Sequence, residues 1–260
     1  MTDWLKQVKE SWNETADSEW YQSLRTDEII AKLVEKPTSV FHKSVYNLIN
    51  KYIPDLHNKK VLLPSSGDNH AAFALALLGA DVTSADISEK QLEHAKVIAN
   101  KLKLKINYVC DDTMQLSNIP DNRFDLVYTS NGTHTWIADL PTMYKNIHRV
   151  LKVDGFSIMY DVHPFTRPFV CEPWKEPKIV KPYTETLPHC HWRVQDLINS
   201  MTGAGLSVRE MEELQAENAS FWFSYEELIK QTSENLDKVN NWEYNPMAAL
   251  PAWISIVAQK

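Results

Sequence analysis

Glycine is scarce in this chain, with six in 260 residues. That excludes a collagenous or glycine-rich low-complexity chain, and each glycine marks a place where the backbone needs it. Cysteine is scarcer still. Cys110, Cys171 and Cys190 form no C-x-x-C pair and no disulfide framework. Such usage suits a reducing compartment, so a cytoplasmic location is expected. Positive charge is not in excess: the formal net charge is −7, which leaves no overall field to hold nucleic acid or an anionic membrane. Long apolar runs are missing as well. The longest, Ala71 to Ala80, falls far short of the roughly 20 residues that span a bilayer. The first ten residues, MTDWLKQVKE, contain no apolar signal core. What is there is 43% hydrophobic and 23% charged, the make-up of a globule with a real core, in one large domain or two small ones.

The first third reads as helix. Trp4, Val8 and Trp12 share one helical face, Ile29, Ile30, Leu33 and Val34 form a second stripe ended by Pro37, and Val40 to Tyr52 is a third pattern stopped by Pro54. Core packing is the expected role of these Trp and Ile residues. From Lys59 short apolar runs alternate with helical ones. Strands are expected at Val61-Leu62-Leu63, Asp81–Ala85, Ile106–Cys110, Phe124–Thr129 and Phe156–Asp161, the last after a turn at Asp154-Gly155. Helices are expected over Asn69–Leu78, closed by Gly79, after the capping box of Ser88 and Gln91, and over Leu140–Leu151. This alternation predicts an α/β fold, a doubly wound, Rossmann-like, mostly parallel sheet with helices on both faces. A further helix is expected over Trp192–Thr202, a strand over Leu206–Met211, a mostly helical stretch over Phe221–Asn240, and a final strand over Ala252–Ala258 that pairs antiparallel.

The informative segment is VLLPSSGDNHAAFALALLGADVTSADIS. A strand ends at Leu63, a tight turn follows, and a helix begins near Asp68. Such a turn aims free backbone N–H groups above the carboxyl edge of the sheet. Asp86 lies nineteen positions after Gly67, at the end of the next strand, where a carboxylate can accept two hydrogen bonds from vicinal ribose hydroxyls. A nicotinamide-binding fold shares that geometry, but its G-x-G-x-x-G positions read Ser65, Gly67 and His70 here, and G-x-x-x-x-G-K-[ST] is absent.

From Val61 to Phe165 the chain resembles the class I S-adenosylmethionine (SAM)-dependent methyltransferases. Their first motif, D-x-G-x-G-x-G, falls on Leu63, Ser65, Gly67 and Asn69, where only the middle glycine remains. VTSADIS, YVCDDTMQL and FDLVYTSNG resemble the next three strand ends, and LPTMYKNIHRVLKVDGFSIMYD resembles the following helix and strand. The N-terminal phrase SWNETADSEWY resembles the start of small-molecule members. The resemblance implies a seven-stranded sheet and SAM as cofactor. It implies Asp86 on the ribose, Ile87 on the adenine, and Asp112 at the adenine amino group with Thr113 and Met114 along its plane; Asp111 is a competing choice for Asp112. Ser65, Ser66, Gly67, Ser130 and Asn131 would hold the methionine part, and Trp12 and Tyr21 would close the pocket. Ser65 serves in that turn if its backbone angles are ordinary.

Methyl transfer needs in-line approach, and a base only where the acceptor must lose a proton. His134 in SNGTHTW is the first candidate base and His163 in MYDVHPF the second. Arg167 and Arg193 could clamp a substrate carboxylate. His189-x-His191 could share a strand face, but no tight ligand spacing supports a metal and none is expected. Phe165, Phe169, Trp174, Tyr183, Trp192, Phe221, Trp222 and Phe223 crowd the segments after the fifth strand, either over a small apolar substrate or packed among themselves. The expected organisation is an N-terminal helical lid over 1–57 and a SAM-binding domain over 58–260 with a Pro-rich insertion at 163–192 and a helical insertion at 217–240. The resemblance implies methyl transfer to oxygen, nitrogen or carbon of a small molecule, releasing S-adenosylhomocysteine. The alternative is a SAM, S-adenosylhomocysteine or nucleoside binding module without catalysis. No nucleic-acid or membrane partner is expected, and a homodimer is left open.

Overall fold

A computed structural model describes residues 3–170, 172–186 and 190–260. The chain opens with helices α1 (Asp3–Thr15), α2 (Glu19–Leu24), α3 (Asp27–Glu35) and α4 (Lys43–Tyr52). Alternation follows: β1 (Lys60–Pro64), α5 (His70–Leu77), β2 (Asp81–Asp86), α6 (Glu89–Lys101), β3 (Ile106–Cys110), β4 (Phe124–Thr129), α7 (Leu140–Val150) and β5 (Leu151–Val162). A small hairpin, β6 (Phe169–Val170) and β7 (Lys178–Ile179), precedes α8 (Val194–Gly203) and β8 (Ser207–Leu214). Short helices α9 (Tyr225–Leu228) and α10 (Ser233–Lys238) come before β9 (Trp253–Gln259).

The main sheet has seven strands in the order β3-β2-β1-β4-β5-β9-β8. The first five pair in parallel, and β9 pairs antiparallel with both β5 and β8. Strand order reverses between β1 and β4. At such a switch point the connections leave in opposite directions and open a crevice above the carboxyl ends of the strands.

Both faces of the sheet are covered, which explains why β1 reads as unbroken apolar sequence. Leu62 faces one side, with Val127, Met159, Tyr144 of α7 and Leu197 and Met201 of α8. Val61 and Leu63 face the other, with Leu126, Ile158, Leu75 of α5 and Val45 and Ile49 of α4. Each such fully buried aliphatic side chain contributes about 1.5–3 kcal/mol by leaving water. Ile30 and Leu33 of α3 pack on Phe73 and Ile98. Helices α3 and α4 therefore belong to the core of the sheet, and within the expected lid 1–57 only α1 and α2 reach over the crevice.

Two expectations change. The turn at Asp154-Gly155 is a bulge within the long β5: pairing shifts between Phe124 opposite Leu151 and Leu126 opposite Phe156, and Asp154 takes φ 63°. The stretch 221–240, expected to be mostly helical, carries only the short α9 and α10. Phe221 turns sideways to meet Trp253 edge-on at 4.8 Å, and Trp222 is buried with Val239, Met247 and Ala248. Among the described residues no helix is long and apolar enough to cross a membrane.

Candidate functional site

The turn after β1 keeps the shape of a glycine-rich loop with one glycine. Ser65, Gly67 and Asn69 have φ of 53°, 52° and 64°. The left-handed region costs an ordinary L-residue about 1–2 kcal/mol, so the condition that Ser65 keep ordinary backbone angles is not met. Local hydrogen bonds hold the strained residues. Ser65 Oγ lies 2.7 Å from Thr113 Oγ1, Asn69 Nδ2 donates to the Gly67 carbonyl at 2.9 Å, and Asn69 Oδ1 accepts from Ser84 Oγ at 2.5 Å. Ser66 N donates to the Ala85 carbonyl at 3.1 Å, which lays the turn against β2. At Gly67 the left-handed φ and the Tyr21 hydroxyl, 3.7 Å from where a Cβ would stand, keep the backbone bare toward the crevice.

Asp86 ends β2 beneath this turn. Its oxygens accept Gly67 N and Ser88 N, each at 2.9 Å. Burial pushes its carboxyl above the usual carboxylate range, opposed by the N–H groups of Ser88, Gly67 and Ile87. At the end of β3 the two candidate aspartates part company. Asp111 turns back to accept Asp112 N and Asn118 N, whereas Asp112 borders the crevice and accepts Met114 N at 2.9 Å. Burial raises the Asp112 carboxyl too.

These groups surround a cavity of about 290 Å³. Ser65, Ser66, Gly67 and Asp68 line it from the first turn, Asp86 and Ile87 from the second strand end, and Asp112, Thr113 and Met114 from the third. The loop after β4 adds Ser130, Asn131, Gly132 and Thr133, followed by Trp136 and Ile137. Helices α1 and α2 form the roof with Leu5, Val8, Trp12, Trp20, Tyr21 and Leu24. Every residue expected to hold the cofactor thus borders one space. Trp20, Trp136 and Asp68 were not among them. Core packing is the expected role of the Trp4, Val8, Trp12 stripe, but Val8 and Trp12 line the cavity, as the resemblance implies for Trp12, and Trp4 is exposed. Trp12 meets Trp136 edge-on at 5.3 Å and Tyr21 at 6.2 Å. Burial, then the charges of Asp68 and Asp86, push the Tyr21 phenol up, opposed by Arg25, whose guanidinium lies 5.3 Å from the centre of its ring.

Polar contacts seat the roof on α6. Lys9 pairs with Glu89, Asn13 Oδ1 accepts from Ser88 Oγ at 2.7 Å, and Asp17 meets Lys90 Nζ at 2.6 Å and His94 Nε2 at 2.8 Å. His70 Nε2 lies 2.9 Å from the Leu24 carbonyl, and Arg25 reaches Gln91 and the Ala16 carbonyl.

The expected bases are placed differently. His134 is buried behind the cavity wall, with Nδ1 2.8 Å from Asp161 Oδ2 and Nε2 2.9 Å from the Tyr144 hydroxyl. Asp161 also accepts Gly132 N at 2.9 Å and His134 N at 3.1 Å. Burial pushes the Asp161 carboxyl up, but the His134 hydrogen bond and charge and these N–H groups bring it below its ordinary value. The pair anchors the loop that carries Ser130 and Asn131. His163 is fully buried: Nδ1 accepts Phe165 N at 3.1 Å, and Nε2 lies 2.9 Å from Glu213 Oε1. It ties the end of β5 to β8. Neither ring borders the cavity, and the nitrogens of both are engaged by protein groups.

Arg193 forks onto Asp196 with two contacts of 2.8 Å and caps α8, so it does not reach the cavity. His191 Nδ1 lies 2.6 Å from Lys181 Nζ, while His189 and Cys171 lie outside the described residues. The aromatic crowd packs mainly on itself. Phe165 meets Tyr183 at 5.1 Å, Trp174 meets Phe223 at 6.4 Å, Phe169 packs on the Trp222 cluster, and Trp192 donates to the Ile137 carbonyl at 2.8 Å. None of these rings lines the cavity.

A family model for the methyltransferase domain matches residues 62–159, the run from β1 through most of β5. Among curated proteins, an uncharacterized methyltransferase YbaJ of Bacillus subtilis is 34% identical over 113 residues, 44% of each chain. A ubiquinone biosynthesis O-methyltransferase of Coxiella burnetii is 34% identical over 108 residues, 40% of this chain and 45% of that one. The chain spans about half the length of the curated relatives it matches. Among solved structures, an S-adenosylmethionine-dependent methyltransferase from Mesorhizobium loti superposes with a TM-score of 0.61 at 19% identity, covering 83% of this chain and 97% of that one. With its seven-stranded sheet, the chain has the fold of the SAM-dependent methyltransferases it is similar to, and its residues 62–159 match the methyltransferase domain.

Proposed function

We propose that this chain transfers the methyl group of SAM to a small-molecule acceptor and releases S-adenosylhomocysteine. One observation carries the reading: Gly67, Asp86, Asp112 and Asn131, from four successive strand ends, border one roofed cavity. The residues present fit an adenosyl sulfonium. Asp86 offers a buried carboxylate to vicinal hydroxyls, Ile87 and Met114 offer apolar faces to a purine, and Asp112 offers an acceptor to an amino group. The turn at 65–67 and Asn131 would hold the amino-acid end.

Bound SAM supplies an electrophilic methyl on a positively charged sulfur. The chain positions, encloses and excludes water. Trp12, Tyr21 and Trp136 roof the reacting end, and the carboxylates favour the cation that must enter. Positioning and a dry pocket can supply much of the rate of such a displacement. The small roofed cavity favours a small acceptor over a polymer, and the acidic composition favours a cytoplasmic metabolite over nucleic acid. Calorimetric titration with S-adenosylhomocysteine tests the reading: no heat at millimolar ligand would sink it.

A second reading, cofactor binding without transfer, draws on His134 and His163, whose ring nitrogens are all engaged. Cofactor binding with no methylated product across an acceptor panel would select it.

A further inference from the structure

The roof over the cavity is fastened unevenly. On the side of Asp86 and Ile87, α1 is stitched to the start of α6: Lys9 pairs with Glu89, and Asn13 Oδ1 accepts from Ser88 Oγ at 2.7 Å. Val8 of this helix is buried. Helix α2 is held differently. It is pinned at its two ends, where Asp17 meets His94 Nε2 at 2.8 Å and the Leu24 carbonyl lies 2.9 Å from His70 Nε2. Between the pins each of its six residues is at least partly exposed. Its inward face, Trp20, Tyr21 and Leu24, rests on the cavity and not on core. A helix with so little burial of its own opens at low cost. On the far side of α2, Trp20 meets Tyr225 of α9, with ring centres 5.8 Å apart and planes at 66°. Trp20 lines the cavity and is still 42% exposed, whereas Tyr225 is 40% exposed and stands outside the lining. The Tyr225 side is the fixed one. The Ser224–Glu227 capping box sets its turn, and three residues back Trp222 is buried with Val239 and Met247 and donates to Asn240 Oδ1 at 2.7 Å.

We propose that ligands enter and leave the cavity at Trp20, and that Tyr225, from the insertion between β8 and β9, is the latch that holds Trp20 closed. This rests on the cavity being the SAM site. The sheet order supports the direction of entry. Asp86, Ile87 and Asp112 lie on β2 and β3 at one margin, under the stitched part of the roof, while α9 comes from the connection between β8 and β9 at the other. The adenosine end is thus covered by the firm part of the roof, and the reacting end by the part that yields. The closed cavity of about 290 Å³ stands at the small end of single-ligand pockets, which run to about 1,000 Å³. Cofactor and acceptor together therefore need the room that Trp20 gives up when it swings outward. Because Tyr225 touches Trp20 and not the cavity, it acts on passage and leaves the walls that grip the ligand unaltered.

Stopped-flow mixing of the full chain with S-adenosylhomocysteine reads the two exchange rates through tryptophan fluorescence, since Trp12, Trp20 and Trp136 border the site. Tyr225→Ala removes the latch from the closed form with and without ligand alike. Association and dissociation should then both rise about three- to ten-fold, the worth of one aromatic pair, with Kd kept within about two-fold. Tyr225→Phe keeps the ring and should keep the parent rates. Circular dichroism on both variants shows the fold intact. Unchanged rates in Tyr225→Ala, a rise in dissociation alone, or the same acceleration in Tyr225→Phe overturns the inference, while continued binding of S-adenosylhomocysteine leaves the cofactor site standing. Failure of S-adenosylhomocysteine to bind the parent chain overturns both.

Discussion

Asp86 accepts the backbone N–H of Gly67 at 2.9 Å, so the carboxylate proposed to hold the ribose also holds the turn that would face the methionine. Its other oxygen holds Ser88 N at the start of α6. Asp86→Ala would orphan both donors, at about 1–3 kcal/mol each. We predict a lower urea midpoint and loss of S-adenosylhomocysteine binding, with Asp86→Asn intermediate in stability. Unchanged affinity in Asp86→Ala would remove this residue from the site.

Because burial raises the Asp86 and Asp112 carboxyls, both take up protons at a pH above the usual range for aspartate, which centres near 3.9. A neutral carboxyl is a poorer acceptor and no longer attracts a cation. Affinity for S-adenosylhomocysteine should therefore weaken on acidification before the ordinary aspartate range is reached. Titrations at steps of pH, with circular dichroism to show the fold intact, check the sign. Affinity that strengthens toward acid would contradict it.

Ser65 pays for a left-handed φ of 53° without being glycine. Ser65→Gly should stabilise the chain by about 1 kcal/mol and raise Tm by roughly 2–4 °C, less whatever the Thr113 hydrogen bond contributes. Ser65→Ala keeps the strain and loses the bond, so it should lower Tm. A thermal scan in which glycine falls below alanine would contradict the backbone account.

His134 is held by Asp161 and Tyr144 behind the wall at Ser130–Asn131, and we predict that it supports that wall rather than acting as a base. His134→Ala should lower both Tm and S-adenosylhomocysteine affinity, whereas loss of a base would cut transfer about 10²–10⁴-fold and leave affinity alone. Asp161, held below its ordinary pKa, contributes stability that is present above the unfolded value and lost as pH falls through the folded one. Without His134 its buried carboxyl moves up, and that contribution changes sign. A Tm profile from pH 3 to 7 should fall less steeply toward acid in the variant.

Much of the architecture could be read along the chain because its causes are local. Val61-Leu62-Leu63 is apolar throughout since both faces are covered, and Ser88 with Gln91 announces α6 a turn ahead. The site residues on strand ends shared this advantage: Asp86, Asp112 and Asn131 each follow an apolar run. What could not be read depends on partners distant in sequence. The left-handed Ser65 needs Thr113, 48 positions away, and Asn69 needs Ser84. His134 looked like a loop base because Asp161, 27 positions on, and Tyr144 are visible only once β4, β5 and α7 are packed. The stretch from Phe221 to Asn240 has helical periodicity, but its rings gain more by burying against Trp253 and Val239 than by continuing one helix.

The place of β9 between β5 and β8 bears on how the molecule is made. β8 leaves the ribosome before the strand that seats it, so it must wait, unpaired and aggregation-prone, while α9 and α10 are synthesised. Of the five parallel strands only β5 shares that dependence, along its outer edge, and the crevice above β1 and β4 does not. Assembly would thus proceed from a cofactor-ready half toward a late-closing margin, and changes in the length of the segment joining β8 to β9 would tax the yield of folded chain before they touched the chemistry.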